Sequence, residues 1–202
     1  MAVTIEQIKE LRKRTGAGVN AVKEALETSN GDLDKAIDYL REKGVAKANK
    51  RAGKEAVNGI IGTYIHPDNR LVAVVEIACE TDFAAKSEVM QEFAKNIALH
   101  VAAVGTEYLN VEDIPAEILD KEKVQYAKDV EGKPAEIAEK ILAGKLNKFY
   151  EQSVLVYQPY FKDESKTVQD YMNEMVAQIG ENMKFTRFVR MQIAKPTNSC
   201  NL

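Results

Sequence analysis

The chain has 202 residues and a formal net charge of −3, and 45% of its residues are hydrophobic and 29% charged. This composition predicts a folded globular protein that needs no disulfides, and it excludes a disordered chain or a surface that is basic throughout. No apolar run approaches the roughly 20 residues of a membrane span, and two cysteines without a secretory signal predict a cytoplasmic protein.

The first 44 residues carry the apolar spacing of three short helices. Thr4 and Asp32 are predicted N-caps, and glycines lie where each helix should end, the third of them at Gly44. We expect a small three-helix module over residues 1–44. The basic, alanine-rich residues 45–56 then predict an exposed linker helix.

After residue 56 the apolar period changes from 3.6 to 2, which predicts a β-hairpin. The fold class is therefore α+β: an N-terminal three-helix bundle and a core, residues 57–194, in which helices pack on a small antiparallel sheet. A disordered tail is expected at residues 195–202. The predicted strands are Val57–Ile65, Arg70–Cys79, Ser153–Tyr157 and Lys184–Ile193, and the predicted core helices are Ser87–Val104, Ala116–Val130, Ala135–Tyr150 and Val168–Ile179.

Motifs of catalysis are missing from the sequence. Its Gly-Lys pairs lack the upstream glycine of a phosphate-binding loop, and no CxxC, HExxH or GxSxG pattern occurs. The two histidines and two cysteines are far apart, which argues against a zinc site. We therefore expect no enzyme activity, no cofactor and no metal.

One feature stands where the second predicted strand gives way to a helix. Thr81 or Asp82 is a suitable N-cap for that helix, and Phe83 follows directly. Phe83 is either an exposed wedge that seeks a pocket or an aromatic of the core. The pattern by itself favours the core aromatic.

Two further features also have a plain structural interpretation. The basic run Lys43–Lys54 is either an RNA-binding face or a solvated helix, and the acidic net charge and lack of interleaved aromatics favour the solvated helix. His100 is either a surface contact or a satisfied histidine at the edge of the core, and the core is favoured. Cys79 is expected to be an inert core thiol.

Two segments of the chain resemble the signatures of one family. Leu11–Lys23 (LRKRTGAGVNAVK) is similar to the opening signature of the elongation factor Ts family, which exchanges guanine nucleotide on the GTPase elongation factor Tu. Glu76–Lys86 (EIACETDFAAK) is similar to its second signature, which is centred on Thr-Asp-Phe. Residues 100–103, 134–140, 158–160 and 165–168 resemble further stretches in the family's order, so the likeness runs from about residue 4 to 193.

The resemblance implies an N-terminal module like a ubiquitin-associated domain, which grips the nucleotide-binding domain of elongation factor Tu in its GDP-bound and nucleotide-free forms. It also implies that Asp82 and Phe83 insert near the GTPase's switch II and magnesium site, with Thr81 supporting the corner. This reverses the preference for a buried Phe83. By the same resemblance the grip is lined by Arg12, Val19, Asn20 and Lys23, and His100 lies on the core surface that presses on the other side of the GTPase domain.

The chain departs from the family pattern at two points. Ala84 stands where the family commonly has valine, and the core occurs once rather than as two related halves. Short members are thought to complete the missing half by dimerising, so a homodimer and a 2:2 complex are expected, with neither a membrane nor a direct nucleic-acid partner. The alternatives from other classes are an RNA-binding adapter that uses the Lys43–Lys54 run and a small hydrolase, for which no nucleophile–base pair is found.

Overall fold

A computed structural model describes residues 3–130 and 134–193, which form a mixed helix and sheet fold, as predicted. The helices are α1 Ile5–Thr15, α2 Val19–Thr28, α3 Leu33–Arg51, α4 Asp82–Lys86, α5 Glu88–Val104, α6 Ala116–Lys128, α7 Ala135–Ser153 and α8 Val168–Ile179. The strands are β1 Asn58–Ile65, β2 Leu71–Cys79, β3 Pro159–Tyr160, β4 Asp163–Thr167 and β5 Met183–Gln192.

The N-terminal helices begin and end at local signals. The Thr4 hydroxyl accepts a hydrogen bond from the Gln7 backbone N–H. The Gln7 side chain in turn accepts a hydrogen bond from the Thr4 backbone N–H, so α1 has a capping box. Asp32 caps α3 by accepting the N–H groups of Asp34 and Lys35. One small core holds these helices together, formed by the fully buried residues Leu11, Val22, Ala25, Leu26 and Ala36.

The prediction that the third helix ends at Gly44 is wrong. α3 is one continuous helix to Arg51, and it takes in most of the predicted linker helix. Gly44 is not among the residues with positive φ, and residues 45–51 are mostly good helix formers, so nothing stops the helix there. Gly44 is instead buried beside α8, where an added Cβ would lie 3.5 Å from the Asn173 carbonyl oxygen. The domain boundaries at residues 44, 56 and 194 stay a prediction.

The larger sheet has the strand order β1-β2-β5. β1 and β2 form the predicted hairpin, across which the His66 N–H donates to the Leu71 carbonyl. β5 runs antiparallel to β2, because the Ile193 N–H at its end donates to the Arg70 carbonyl at the start of β2. Both the hairpin and the last strand are confirmed.

The prediction of a strand over Ser153–Tyr157 is wrong. α7 extends to Ser153, and Leu155–Tyr157 is a turn of 3₁₀-helix whose Leu155 is fully buried. A short apolar run does not distinguish a strand from other buried segments. Here it fills the core, and its β pairing is limited to an isolated bridge between Val154 and Tyr108. The small β3-β4 hairpin that follows was not predicted. The predicted tail, with Cys200, lies outside the described residues.

The described residues divide into two compact units, whose ranges cover those residues only. The first comprises the residues up to Ile60, Glu76–Ala94 and Gln169–Phe185, and it holds the N-terminal helices, the end of β2, α4 and α8. The second comprises Ile61–Val75, Lys95–Val168 and the residues from Thr186 onward, and it holds most of α5, α6, α7 and the β3-β4 hairpin.

Candidate functional site

The strand-to-helix corner of the first unit is built around Thr81. Thr81 has extended backbone dihedrals (φ −125°, ψ 158°), and its Oγ1 accepts the Ala84 N–H at 3.2 Å, so Thr81 is the N-cap of α4. Ala84 and Ala85 occupy the buried side of that short helix. Phe83 therefore projects outward, and 82% of it is exposed. Its predicted exposure is confirmed, and the core aromatic that periodicity alone favoured is wrong.

Asp82 places a carboxylate beside the exposed ring. Its Oδ2 lies 2.7 Å from Nζ of Lys86, one turn along α4, and both side chains are more than half exposed. The hydrogen bond from Lys86 and its charge lower the pKa of Asp82, so the group is ionised at neutral pH. The tip of the corner thus offers a large apolar surface and a negative charge side by side.

The base of the corner rests on two glutamates, Glu80 and Glu181, whose role was not predicted. The Glu181 carboxylate accepts the Thr81 N–H at 2.9 Å and the Thr81 O–H at 2.7 Å. The Glu80 carboxylate accepts the Asn182 N–H at 2.6 Å and Nη1 of Arg51 at 2.9 Å. Both hydrogen bonds lower the pKa of Glu80, and the one from the Asn182 backbone N–H has the larger effect. Residues 100 apart carry no spacing signal, so only the fold brings Glu181 to Thr81.

Further bonds fix the backbone on either side of this base. Nδ2 of Asn58 donates to the Glu80 carbonyl at 2.8 Å, and Nδ2 of Asn182 donates to the Lys54 carbonyl at 2.6 Å. The thiol of Cys79 is buried and contacts the Thr81 carbonyl at 3.2 Å. Burial raises the pKa of Cys79, as expected for an inert core thiol.

The residues assigned to the N-terminal grip are all exposed, and two that are consecutive in sequence line one cleft. Val19, 48% exposed, and Asn20 line a cleft of about 530 Å³ between α2, α3 and α8. Arg12 is exposed on α1, and Lys23 forms a surface pair with Glu27 at 3.8 Å. α8 supplies Glu174, Ala177 and Gln178 to the cleft, a contribution that was not predicted.

His100 is fully buried in the second unit. Its Nε2 lies 2.9 Å from Oε1 of Gln158, which also accepts the Thr106 hydroxyl at 2.7 Å, and its Nδ1 accepts the Phe161 N–H at 3.3 Å. Burial lowers the pKa of His100, so the ring is neutral at pH 7. Because Nδ1 accepts the Phe161 N–H, the proton of the neutral ring is on Nε2. His100 is thus the satisfied core histidine that the pattern favoured, and the expectation that it lies on the core surface is wrong, because none of it is exposed. Any part of His100 in binding a partner stays a prediction.

Internal ion pairs neutralise part of the positive charge of the basic run Lys43–Lys54. Lys43 pairs with Glu24, and Arg51 pairs with Glu80 at 2.9 Å. Such pairs reduce the positive field that an RNA-binding face would need. Within residues 3–130 and 134–193, no cluster of potential metal ligands occurs. In the same residues, every helix is too short or too polar to be a candidate membrane span.

Comparison with known proteins gives one consistent result. Residues 3–193 match the family model described as Elongation factor TS. The elongation factor Ts of Geobacter sulfurreducens is 48% identical over 197 residues, which are 96% of this chain and 91% of that protein. The protein of the same name from Acetivibrio thermocellus is 50% identical over 192 residues, 94% and 89% of the two chains. That of Thermodesulfovibrio yellowstonii is 47% identical over 196 residues, 96% and 98%.

Proposed function

The chain belongs to the elongation factor Ts family, and we propose that it is a guanine-nucleotide exchange factor that releases GDP from elongation factor Tu in the cytoplasm during translation elongation. The observation that carries the proposal is Phe83, which is 82% exposed at the tip of a corner held by charged hydrogen bonds. A phenylalanine that is this exposed in the free chain is typical of a side chain that a partner buries.

The mechanism is differential binding. Asp82 and Phe83 insert near switch II and the magnesium site of the GTPase, in a pocket that opens only when nucleotide leaves. By linkage, the factor then weakens nucleotide binding as strongly as nucleotide weakens the binding of the factor. Burying one phenylalanine contributes about 1.5–3 kcal/mol, which corresponds to one to two decades of affinity. Asp82, ionised beside Lys86, adds either repulsion of phosphate or an acceptor for a backbone N–H of the partner.

The N-terminal module holds the GTPase while nucleotide changes. We assign this grip to Arg12, Val19, Asn20 and Lys23, and it serves both the GDP-bound and the nucleotide-free partner. Their exposure supports the assignment, and the apolar cleft beside Val19 offers a seat for a partner side chain. His100 is assigned an indirect part, because it is buried and anchors the Phe161 backbone within the core surface that would press on the GTPase.

A homodimer would complete the single core copy and give a 2:2 complex with the GTPase. The support is an exposed apolar face of the sheet in the second unit. Gly62 is buried and Arg190 contacts the Ala102 carbonyl at 3.5 Å, so the neighbours of these two residues along each strand lie on the opposite face of the sheet. The apolar residues on that face are more than half exposed: Ile61 62%, Ile65 61%, Val189 53%, Met191 65% and Ile193 58%.

The deciding experiment is the release of fluorescent GDP from purified elongation factor Tu with and without this protein. We expect release to accelerate in proportion to the concentration of the factor until it saturates. A folded chain that leaves the release rate unchanged at micromolar concentration would refute the proposed function. Sedimentation of the free chain tests the dimer separately.

A further inference from the structure

Glu181 meets the two donors of Thr81 with the two oxygens of one carboxylate. Oε2 accepts the backbone N–H at 2.9 Å and Oε1 accepts the hydroxyl at 2.7 Å, and both contacts are partly buried. An ionised carboxylate accepts at both oxygens and donates at neither. Glu181 therefore accepts from both donors of Thr81 at once, whereas an amide side chain offers only one acceptor oxygen.

The bond to the hydroxyl also determines what the hydroxyl does next. With its proton directed to Glu181, the Thr81 oxygen turns a lone pair to the Ala84 N–H at 3.2 Å and caps α4. The same two bonds thus set the direction in which α4 leaves β2. Phe83 is the second residue of α4, so its position follows from the cap.

The neighbouring residues hold the same base from the other side. Glu80 is bonded to Arg51 at the end of α3 and to the Asn182 N–H at 2.6 Å, and its carbonyl accepts from Asn58. Glu181 and Asn182 are consecutive, so one short segment before β5 supports both Glu80 and Thr81. The base of the corner is braced, whereas the ring of Phe83 is 82% exposed.

We infer that Glu181 is a positioning residue for the Asp82-Phe83 wedge, acting through the orientation of Thr81. This inference rests on the proposed exchange function. An aromatic that is already oriented binds without the loss of freedom that ordering a mobile loop would require. Loosening the base should therefore weaken the contribution of Phe83 to exchange while leaving the fold intact.

The test is E181Q, which keeps the size of the side chain but leaves one acceptor oxygen for the two Thr81 donors, so that one of them loses its partner. We expect GDP release at saturating factor to slow about tenfold, which corresponds to about 1.4 kcal/mol. The matched control is E117Q, which removes one charge from an exposed glutamate of α6, a helix that is given no part in the proposed contacts. With this control variant, GDP should leave elongation factor Tu as fast as it does with the wild-type chain.

A double-mutant cycle with F83A separates positioning from general destabilisation. If Glu181 acts through Phe83, E181Q slows release far less in the F83A background than in the wild-type background. Equal slowing in both backgrounds would overturn the inference, and so would wild-type activity of E181Q. If the wild-type chain does not accelerate GDP release from elongation factor Tu, the proposed function is refuted and not the positioning role.

A readout without the GTPase keeps the inference testable if E181Q folds poorly. In the wild-type chain, hydrogen exchange of the Thr81 and Ala84 amides should be slow, because both are donors in the contacts described. In E181Q the same two amides should exchange at least tenfold faster while the amides of α5 are unchanged. Unprotected Thr81 and Ala84 amides in the wild-type chain would contradict the clamp directly.

Discussion

Replacing Phe83 with alanine is the sharpest perturbation of the wedge, because the free chain makes so little use of that ring. With 82% of the residue exposed, only about a fifth of its burial free energy of about 1.5–3 kcal/mol is realised on folding. F83A should therefore cost less than about 0.6 kcal/mol, and it should lower the melting temperature by no more than about 2 °C in a chain of this size.

The loss should appear in the complex instead. If the full 1.5–3 kcal/mol of ring burial is available only in the nucleotide-free GTPase, F83A slows stimulated GDP release by about ten- to a hundredfold. Stopped-flow release of fluorescent GDP at saturating factor measures this directly. The matched control is V124A, which trims another exposed apolar side chain, 62% exposed on α6. Unchanged stimulation by folded F83A, or equal losses in F83A and V124A, would refute the wedge.

Three further predictions address the grip, the buried histidine and the hairpin. K23A should weaken formation of the complex more than it slows GDP release from the complex once formed; stopped-flow traces with the reverse pattern would count against the grip. Burial lowers the pKa of His100 below its ordinary 6.5, so the unfolded chain binds this proton first and stability should fall as the pH drops from about 6.5 toward the folded-state pKa. H100Q should flatten that part of the melting-temperature profile, whereas H66Q, at the exposed turn, should retain it; identical profiles for the wild type and H100Q would show that His100 is not responsible. G59A should destabilise the chain in a urea titration, because its Cβ would lie 2.4 Å from the Ile77 carbonyl oxygen; an unchanged midpoint would mean that the hairpin shifts freely.

Local signals predicted the helices and the hairpin because the deciding interactions are local. Thr4 and Asp32 cap the helices that follow them within three residues, and the change of apolar period at residue 57 marks the first strand. The same reasoning failed at Gly44 and at Ser153–Tyr157. There, packing against α8 and burial of Leu155 outweigh what glycine and an apolar run signal by themselves.

The candidate site divides in the same way. The residues Thr81, Asp82 and Phe83 and the cap at Thr81 could be predicted from the sequence, because a cap lies beside the helix that it starts. The direction of Phe83 could not, since periodicity over a five-residue helix does not tell which side faces the core. The resemblance to a known family supplied that answer before the structure did.

The sequence by itself determined most of the helices, the first hairpin, the family signatures and the absence of catalytic motifs, because each depends on neighbours along the chain. Only the tertiary structure decided that α3 ends beside Glu80, that His100 is enclosed by Gln158 and Phe161, and that Glu181 braces a threonine 100 residues away. The physical reason is that burial and hydrogen-bond partners across the fold depend on which distant segments meet, and spacing along one chain does not encode that meeting.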